Sequence, residues 1–390
     1  MNRSILPLIV LAQFCCTSVW FAGNAVLTDL VATFGLPATA LSGLTSAVQF
    51  GFICGTLVFA VLAVADRFSP ARVFCASALA AAGFNLCGTV EANTFGTLLG
   101  GRFMTGFFLA GIYPVGMKIA ADYYREGLGR SLGFLVGALV LGTAFPHLVK
   151  ALGGALPWRS ILFATSGIAA LGGLLVLLFV PDGPYRKPGK KPEFTSFLRV
   201  FRNGPFRAAA FGYFGHMWEL YAFWAFVPVW LVAYFAGQSP PVGISLLAFG
   251  VIAAGGVACV VGGYLSGRFG VRRVAAFSLG ASGLCCLVSP LLFAAPPLFF
   301  LPFLFFWGMV VVADSPLFST LVAGSAEAEV KGTALTIVNC IGFAITIVSL
   351  QLLGGAGQWL APEWLFVLLL PGPVVGLLGL FFGGAGAGAR

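Results

Sequence analysis

The sequence predicts an all-α membrane protein with twelve transmembrane helices. Hydrophobic residues make up 59% of its 390 residues, only 8% are charged, and the mean hydropathy is +1.02. Soluble domains carry roughly 25% charged residues, because water must wet their surface. Most of this protein's surface must therefore face lipid. The 53 glycines and 40 phenylalanines favour the same interpretation, since glycine lets helices pack closely in a bilayer and aromatic side chains fill its interior.

Apolar runs define the individual spans. A helix needs about 20 apolar residues to cross a hydrocarbon core of about 30 Å. Runs of this length, divided by charges or by Gly/Pro turns, predict spans at 5–30, 41–65, 73–90, 95–118, 131–152, 160–181, 207–235, 242–266, 274–294, 298–323, 332–353 and 364–383. The first run continues past Trp20 without a small-residue cleavage site, which favours a retained helix over a signal peptide.

Basic residues predict the orientation of the spans. With the N terminus inside, all of the 21 Lys and Arg residues fall on cytoplasmic segments except Lys150, Arg159 and Arg102. Cytoplasmic loops of membrane proteins carry this excess of positive charge. Both termini are therefore predicted to be cytoplasmic, and the membrane to be the plasma (inner) membrane. The basic residues do not form one stripe, so nucleic acid is not an expected partner.

The spans fall into two halves that resemble each other. A polar stretch at 182–206, rich in Pro, Gly and Lys, is predicted to be a cytoplasmic linker between six spans in 1–181 and six in 207–390. The loops after spans 2 and 8 repeat residue types 201 positions apart, pairing Arg67 with Arg268, Phe68 with Phe269 and Arg72 with Arg273. Many secondary transporters are built from such repeats, with the substrate site at the interface between them.

The same loops resemble a signature of the major facilitator superfamily, approximately G-x-L-x-D-R-x-G-R-R. Residues 263–273 match it with Gly267 in the place of the acid, whereas the first copy keeps Asp66 and Arg67 but has Leu62 and Ser69 at the two glycine positions. Residues 102–106 are similar to the R-x-x-x-G signature of the fourth helix, and residues 216–220 resemble bacterial members of the family. The resemblance identifies no substrate subgroup.

The resemblance implies two pseudo-symmetric six-helix bundles around a central cavity, which alternates between inward-open and outward-open states. It assigns gating to Asp66, Arg67, Arg72, Arg268, Arg272 and Arg273. Asp66 can face the positive N terminus of span 11 near Gly332 when the cytoplasmic side is shut, an attraction of roughly 0.3–1 kcal/mol. Gly267 lacks the mirror contact. The alternative for the arginines is that they only fix the topology.

Ionisable groups inside a bilayer are costly and therefore predict function. Glu219 lies near the middle of span 7, with His216 one turn before it on the same face, and Asp314 lies at a similar depth in span 10. A carboxyl group in apolar surroundings favours its neutral form, and histidine titrates near neutral pH. These three residues are the predicted proton-coupling site. The alternatives are an inert hydrogen-bonded network and, for Asp314, a polar kink before Pro316.

Six further residues are predicted to bind the substrate: Asn24, Arg102, Tyr113, Trp218, Tyr221 and Asn339. Spans 1, 4, 7 and 10, which line the cavity in the family, each contain a polar group. Arg102 is permanently charged, and it either binds an anionic substrate, pairs with an acid or packs structurally. For the aromatic residues of span 7, packing or contact with lipid is the alternative.

The sequence contains no P-loop, nucleophile triad or Cys/His metal spacing. We therefore expect no enzyme activity, cofactor or metal. The prediction is a secondary active transporter that moves a small polar solute, with an anion among the candidates, by alternating access, coupled to protons through Glu219 as a symporter. We expect a monomer surrounded by lipid. Span 5 lacks the G-x-x-x-G-P-x-x-G-G pattern of drug/proton antiporters, so efflux of a drug or metabolite is the alternative, followed by a passive channel or facilitator.

Overall fold

The computed structural model describes residues 5–124, 128–154, 156–186, 201–326 and 331–382. Helices dominate these ranges, which contain no strand. Within them, eleven helices are long and apolar enough to cross a membrane. The predicted all-α membrane fold is therefore confirmed. Both predicted cytoplasmic termini and most of the predicted linker at 182–206 lie outside the described residues.

We number the helices by the predicted span that each one occupies. Four spans are broken into pieces in their middle: α1 (Ile5–Thr17, Ala22–Ala25 and Leu27–Phe34), α4 (Phe95–Leu109 and Tyr113–Tyr123), α10 (Pro297–Ala313 and Ser315–Ser325) and α12 (the 3-10 helix Pro362–Leu369 and Pro371–Phe382). Each of the others contains one long helix: α2 (Ala40–Val61, followed by the short helix Val64–Arg67), α3 (Pro70–Leu86, followed by the 3-10 helix Cys87–Thr89), α5 (Leu128–Gly153), α6 (Arg159–Phe179), α7 (Gly204–Tyr234), α8 (Ile244–Phe269), α9 (Val271–Phe293) and α11 (Lys331–Ala356).

The first predicted span differs from the expected single helix. Its opening piece, Ile5–Thr17, is apolar but has only 13 residues, fewer than the roughly 20 that a crossing needs. The helix is interrupted at 18–21, where the guanidinium of Arg102 on α4 donates hydrogen bonds to the carbonyls of Val19 and Trp20. Backbone carbonyls freed inside an apolar environment need such a donor. The apolar run in the sequence does not reveal this break, because Arg102, the residue that stabilises the break, lies on another helix.

Breaks in α4 and α10 occur at corresponding positions. The second piece of each helix carries a proline in its first turn, Pro114 and Pro316. Proline is well tolerated there, since the first backbone N–H groups of a helix have no intrahelical partner. Tyr113 and Asp314 stand at the two breaks, 201 positions apart (113 to 314), the same offset as the repeated loops. The duplication seen in the sequence therefore extends to the local shape of these helices.

Two helix pairs join α1–α6, the N-terminal half, to α7–α12, the C-terminal half. At the α5–α8 crossing, a Cβ atom added to Gly137 or Gly256 would lie 3.1 Å from the carbonyl oxygen of the other glycine. Small residues at such crossings allow close packing in membranes. Between α2 and α11, Gln351 Nε2 donates to the Ser42 carbonyl at 3.2 Å and to Ser46 Oγ at 2.9 Å.

Candidate functional site

A cavity of about 490 Å³ lies between the two halves. The N-terminal half contributes α2, α4 and α5 to its wall, and the C-terminal half contributes α7, α10 and α11. Most lining side chains are apolar. The polar and aromatic hydrogen-bonding residues in the described lining are Thr56, Asp66, Tyr113, Lys118, Tyr213, Tyr221, Trp224, Ser315, Ser319, Thr333, Thr336 and Asn339. The cavity is therefore an apolar chamber with scattered hydrogen-bonding groups.

An aromatic cluster closes one end of the cavity. The ring centroid of Trp20 on α1 lies 5.0 Å from Phe52, 5.8 Å from Tyr221 and 5.9 Å from Phe343. Phe52 and Phe343 are 4.4 Å apart. Because α1 and α2 supply two of these rings and α7 and α11 the other two, the cluster packs the halves together. Beyond it, the contacts of Gln351 continue the seal.

The other end of the cavity, which we call the Asp66 end, carries charged residues. Asp66 Oδ1 lies 3.0 Å from Lys118 Nζ, and Lys118 Nζ lies 3.7 Å from Asp122 Oδ1. Asp66, which follows α2, and Gly332, at the start of α11, both line the cavity. In this structure Asp66 thus pairs with a residue of α4. The sequence analysis expected it to face the N terminus of α11 when the cytoplasmic side is shut. The side chains of Asp66 and Lys118 are about a quarter exposed, so the cavity reaches the protein surface at this end.

Further contacts fasten the loop that follows Asp66. Arg186 Nη2 donates to the carbonyls of Asp66, at 3.2 Å, and of Phe68, at 2.8 Å, and its other amino group pairs with Asp182. Ser69 Oγ donates to the same Asp182 carboxylate at 2.7 Å. The segment after α6 therefore holds the α2–α3 loop in place.

The predicted gating arginines lie outside the described cavity lining. Their side chains are exposed at helix ends or in loops, which holds for Arg67, Arg72, Arg268, Arg272 and Arg273. Arg272 nevertheless donates a hydrogen bond to the carbonyl of Leu380 on α12. This contact joins α9 to α12 within the C-terminal half.

The three predicted proton-coupling residues lie together inside the C-terminal half. Glu219, His216 and Asp314 each have 0% of their surface exposed. His216 Nδ1 lies 2.8 Å from Asp314 Oδ1. Glu219 Oε2 instead accepts a hydrogen bond from Ser282 Oγ at 2.7 Å, and Trp307 Nε1 donates to the same hydroxyl at 3.1 Å. His216 therefore contacts Asp314 on α10, not the Glu219 carboxyl that follows it by one helical turn.

These buried groups stand one layer behind the cavity wall. Met217 and Leu220, the neighbours of His216 and Glu219 in sequence, line the cavity, as does Ser315 beside Asp314. Within the described part of the chain, Glu219 Oε1, Asp314 Oδ2 and His216 Nε2 have no hydrogen-bond partner. A buried polar atom without a partner is costly. The site can lower that cost by binding a proton or a water molecule at these atoms.

The structure divides the predicted substrate residues into two groups. Tyr113, Tyr221 and Asn339 line the cavity, and Tyr213 Oη donates to Asn339 Oδ1 at 3.0 Å. The other three donate hydrogen bonds to partners outside the cavity lining. Asn24 Nδ2 donates to Thr45 Oγ1 at 2.8 Å, and Trp218 Nε1 donates to the Leu368 carbonyl at 3.1 Å. Arg102 donates to the carbonyls of Val19 and Trp20. The observed contacts of Arg102 match its structural alternative.

Several cavity residues were not among those predicted from the sequence. These are Tyr213, Met217, Leu220 and Trp224, which line the cavity together with the predicted Tyr221 at a spacing of i, i+4, i+7, i+8 and i+11 along α7. This is the spacing of one helical face, so the signal was present in the sequence. Aromatic residues all around α7 obscured it, because Trp218 and Trp230 on other faces pack against α12.

Comparisons with known proteins agree with this architecture. The sequence profile of the Major Facilitator Superfamily matches residues 9–350. A search of curated proteins found no match. Among solved structures, the human organic anion transporter MFSD10 (TETRAN) is similar in fold, with a TM-score of 0.74 over 97% of this chain and 99% of that chain, at 15% sequence identity. The profile covers most of the chain and points to a transporter rather than an enzyme. This multi-pass membrane protein belongs to the Major Facilitator Superfamily.

Proposed function

We propose that the protein is a secondary active transporter that moves a small molecule by alternating access and couples this movement to protons. The observation that carries the proposal is the position of Glu219, His216 and Asp314, fully buried one layer behind the cavity wall. Buried ionisable groups are expensive in a membrane and mark ion or proton pathways. Their sequence neighbours Met217, Leu220 and Ser315 line the cavity between the halves, so the surroundings of these groups change when the halves move.

The proposed conformational cycle rests on the contrast between the two ends of the cavity. Aromatic rings around Trp20 and the contacts of Gln351 close one end, whereas the lining residues Asp66 and Lys118 at the other end are partly exposed. With both termini cytoplasmic, this is an inward-facing state of a plasma-membrane protein. In the opposite state, Asp66 would approach the N terminus of α11, and the rings would separate. The units that rock are 1–181 and 207–390, joined by 182–206.

Proton coupling follows from the two carboxyl groups and their incomplete hydrogen bonding. His216 Nδ1 lies 2.8 Å from one oxygen of Asp314, and Ser282 donates a hydrogen bond to one oxygen of Glu219, while the second oxygen of each carboxyl has no described partner. A proton can bind at such an oxygen without disrupting the existing contacts. Glu219 is the proposed proton carrier, with His216 and Asp314 forming a second titratable pair. We propose symport as the mode of coupling, and in antiport the same groups would carry the proton in the direction opposite to the substrate.

A transport assay in proteoliposomes tests this proposal. The substrate is first identified by a thermal-shift screen of small molecules on the purified protein. We expect Glu219→Gln to abolish accumulation against a concentration gradient while sparing counterflow exchange, because exchange needs the cavity but no net proton movement. Glu91→Gln, an exposed acid that pairs with Arg159 at 3.6 Å, is the matched control.

Three outcomes would overturn the proposal in different ways. Unchanged accumulation in Glu219→Gln would remove this residue from the coupling mechanism. Accumulation that depends on no pH gradient would show that protons do not drive transport. Flux that grows linearly with substrate concentration, without saturation, would indicate a channel and exclude a carrier.

A further inference from the structure

The cavity wall contains little charge with which to hold a charged ligand. Asp66 and Lys118 are the charged residues of the described lining, and they pair with each other at 3.0 Å at the Asp66 end. Glu219 and Asp314 lie behind the wall, each with its own described contact. An ion that left water for the inner part of this cavity would lose its hydration without gaining an opposite charge.

Aromatic rings from both halves surround the inner part of the cavity. Tyr113 comes from α4, while Tyr213, Tyr221 and Trp224 come from α7 and Phe343 from α11. The rings of Tyr221 and Trp224 pack edge to face with centroids 5.4 Å apart. Aromatic pairs prefer offset-stacked or edge-to-face arrangements, so a planar aromatic ligand suits such a wall.

The unpaired polar groups of this wall include hydrogen-bond donors. Trp224 is fully buried within the protein, and its Nε1 has no partner among the described residues, as is also true of Thr56 Oγ1. Tyr213 Oη donates to Asn339 Oδ1, which leaves the amide nitrogen of Asn339 to donate elsewhere. Indole and amide N–H groups donate and cannot accept. A ligand that satisfies them must supply acceptor oxygens or nitrogens.

We infer that the substrate is an uncharged aromatic molecule with a hydrogen-bond acceptor, such as a carbonyl oxygen, attached to its ring system. The cavity volume of about 490 Å³ is that of a site for drug-sized ligands. This inference rests on the proposed function in one respect, namely that the cavity is the substrate site. It replaces the anionic solute suggested by the sequence, because Arg102, which supported an anion, is bound to the backbone of α1.

Binding of four matched probes to purified full-length protein tests the inference. The probes share a naphthalene ring and differ in one substituent: 2-acetonaphthone is a neutral acceptor, 2-ethylnaphthalene lacks an acceptor, 2-naphthoate is an anion and 2-naphthylmethylammonium is a cation. Isothermal titration calorimetry in detergent gives their affinities. We expect the ketone to bind tightest, both ions to bind more than about tenfold more weakly, and the ethyl compound to bind about two- to tenfold more weakly for one lost hydrogen bond.

A substitution locates the donor. Trp224→Phe keeps an aromatic ring and removes the N–H, so it should weaken the ketone about two- to tenfold and leave the ethyl compound unchanged. Trp218→Phe is the matched control, because the Trp218 N–H donates to Leu368 outside the cavity. Tighter binding of either ion, equal binding of all four probes, no binding at all, or an equal effect of both variants would overturn the inference.

The probe measurement stands apart from the proton proposal. It uses no pH gradient, so a failure of proton coupling leaves the order of the four affinities unaffected. It also needs no variant, so the inference stays testable even if Trp224→Phe does not fold. Conversely, an anionic substrate would overturn this inference and leave the proposed role of Glu219 intact.

Discussion

The two halves of the molecule bury their charged groups in opposite ways. Deep in the N-terminal half, the guanidinium of Arg102 donates to the backbone carbonyls of Val19 and Trp20 and to Asn85 Oδ1. Deep in the C-terminal half, the buried ionisable groups are Glu219 and the His216–Asp314 pair. A permanent charge bonded to a broken helix supports one fixed shape. Titratable groups with unpartnered atoms can change protonation while the helices stay intact.

The difference arises on a shared scaffold. α4 and α10 are broken at positions that correspond under the repeat, and the residues at the breaks are Tyr113 and Asp314. Tyr113 lines the cavity, whereas Asp314 lies behind the wall against His216. The two halves therefore contain the same helix break, and the residue at the break differs: Tyr113 lines the cavity, and Asp314 belongs to the proposed proton site.

The largest expected effect comes from Arg102→Met, which keeps much of the side-chain volume and removes the guanidinium. The Val19 and Trp20 carbonyls would remain buried without their donor, at a cost of about 3 kcal/mol or more, because hydrogen bonds to charged groups are the strong ones. We expect a large fall in the apparent melting temperature of the purified protein, measured by fluorescence-detected unfolding in detergent.

Arg159→Met is the matched control for this prediction. Arg159 pairs with the exposed Glu91 at 3.6 Å, and surface pairs of this kind contribute about 0–1 kcal/mol. If both variants melted at the same temperature, the contacts of Arg102 with α1 would contribute no more than a surface ion pair, and the contrast between the halves would lose its energetic basis.

A double-mutant cycle on His216→Gln and Asp314→Asn should give the next largest effect. Residues in direct contact show interaction energies of about 0.5–3 kcal/mol, and these two side chains are 2.8 Å apart. The cycle is measured by unfolding of the two single variants and the double variant. His216→Gln combined with Glu219→Gln should give a smaller interaction energy, because Glu219 is bonded to Ser282. A larger energy for that second pair would contradict the described network.

The sequence predicts the elements of this fold better than the contacts between them. α8 was expected at 242–266 and is found at Ile244–Phe269, because the apolar run and its flanking charges are local features. The depth of Glu219 and Asp314 also follows from position along a helix. The partner of His216 does not, since it depends on how α10 is rotated against α7. The spacing in the sequence favoured Glu219 as the partner of His216, because it relates residues of one helix only.

The same limit explains the substrate residues. Tyr113, Tyr221 and Asn339 were predicted to bind substrate, and each lines the cavity. Asn24 and Trp218 lie on predicted cavity helices too, but their side chains bond to Thr45 and to the Leu368 carbonyl. A polar residue in an apolar span must be satisfied somewhere, and a cavity is one of several solutions.

A smaller effect is expected from the arginines of the α8–α9 loop. Arg272 donates to the Leu380 carbonyl and lies over the Phe381 ring with its Cζ atom 5.7 Å from the centroid, whereas Arg273, which is also exposed, has no described contact of either kind. We expect Arg272→Met to lower unfolding stability by about 0.5–1.5 kcal/mol, and Arg273→Met to change it by less than about 0.5 kcal/mol. Thermal unfolding of both variants measures the difference. Equal values would leave Arg272 with a role in topology alone.

The smallest expected effect concerns the charge missing from the second loop. The first loop pairs Asp66 with Lys118, and the repeat-equivalent positions, 201 residues later, are Gly267 and Ser319. Gly133 lies near the carbonyl of Cys259, and Gly137 lies near the carbonyl of Gly256. The two helices α5 and α8 therefore run antiparallel, and the end of α8 lies toward the start of α5. A carboxylate at 267 would thus face the positive N terminus of α5.

Gly267→Asp should therefore hold the ends of α8 and α5 together and make the cavity less accessible. The attraction of about 0.3–1 kcal/mol corresponds to a two- to fivefold shift between states. The rate at which a membrane-impermeant maleimide labels Thr336→Cys, a cavity position on α11, measures this shift. Gly267→Asn should leave the rate unchanged.

Adding Ser319→Lys should cancel the effect of Gly267→Asp, since the new carboxylate would then be paired within its own half, as Asp66 is. Faster labelling of the Gly267→Asp variant would show that a charge at this end opens the cavity.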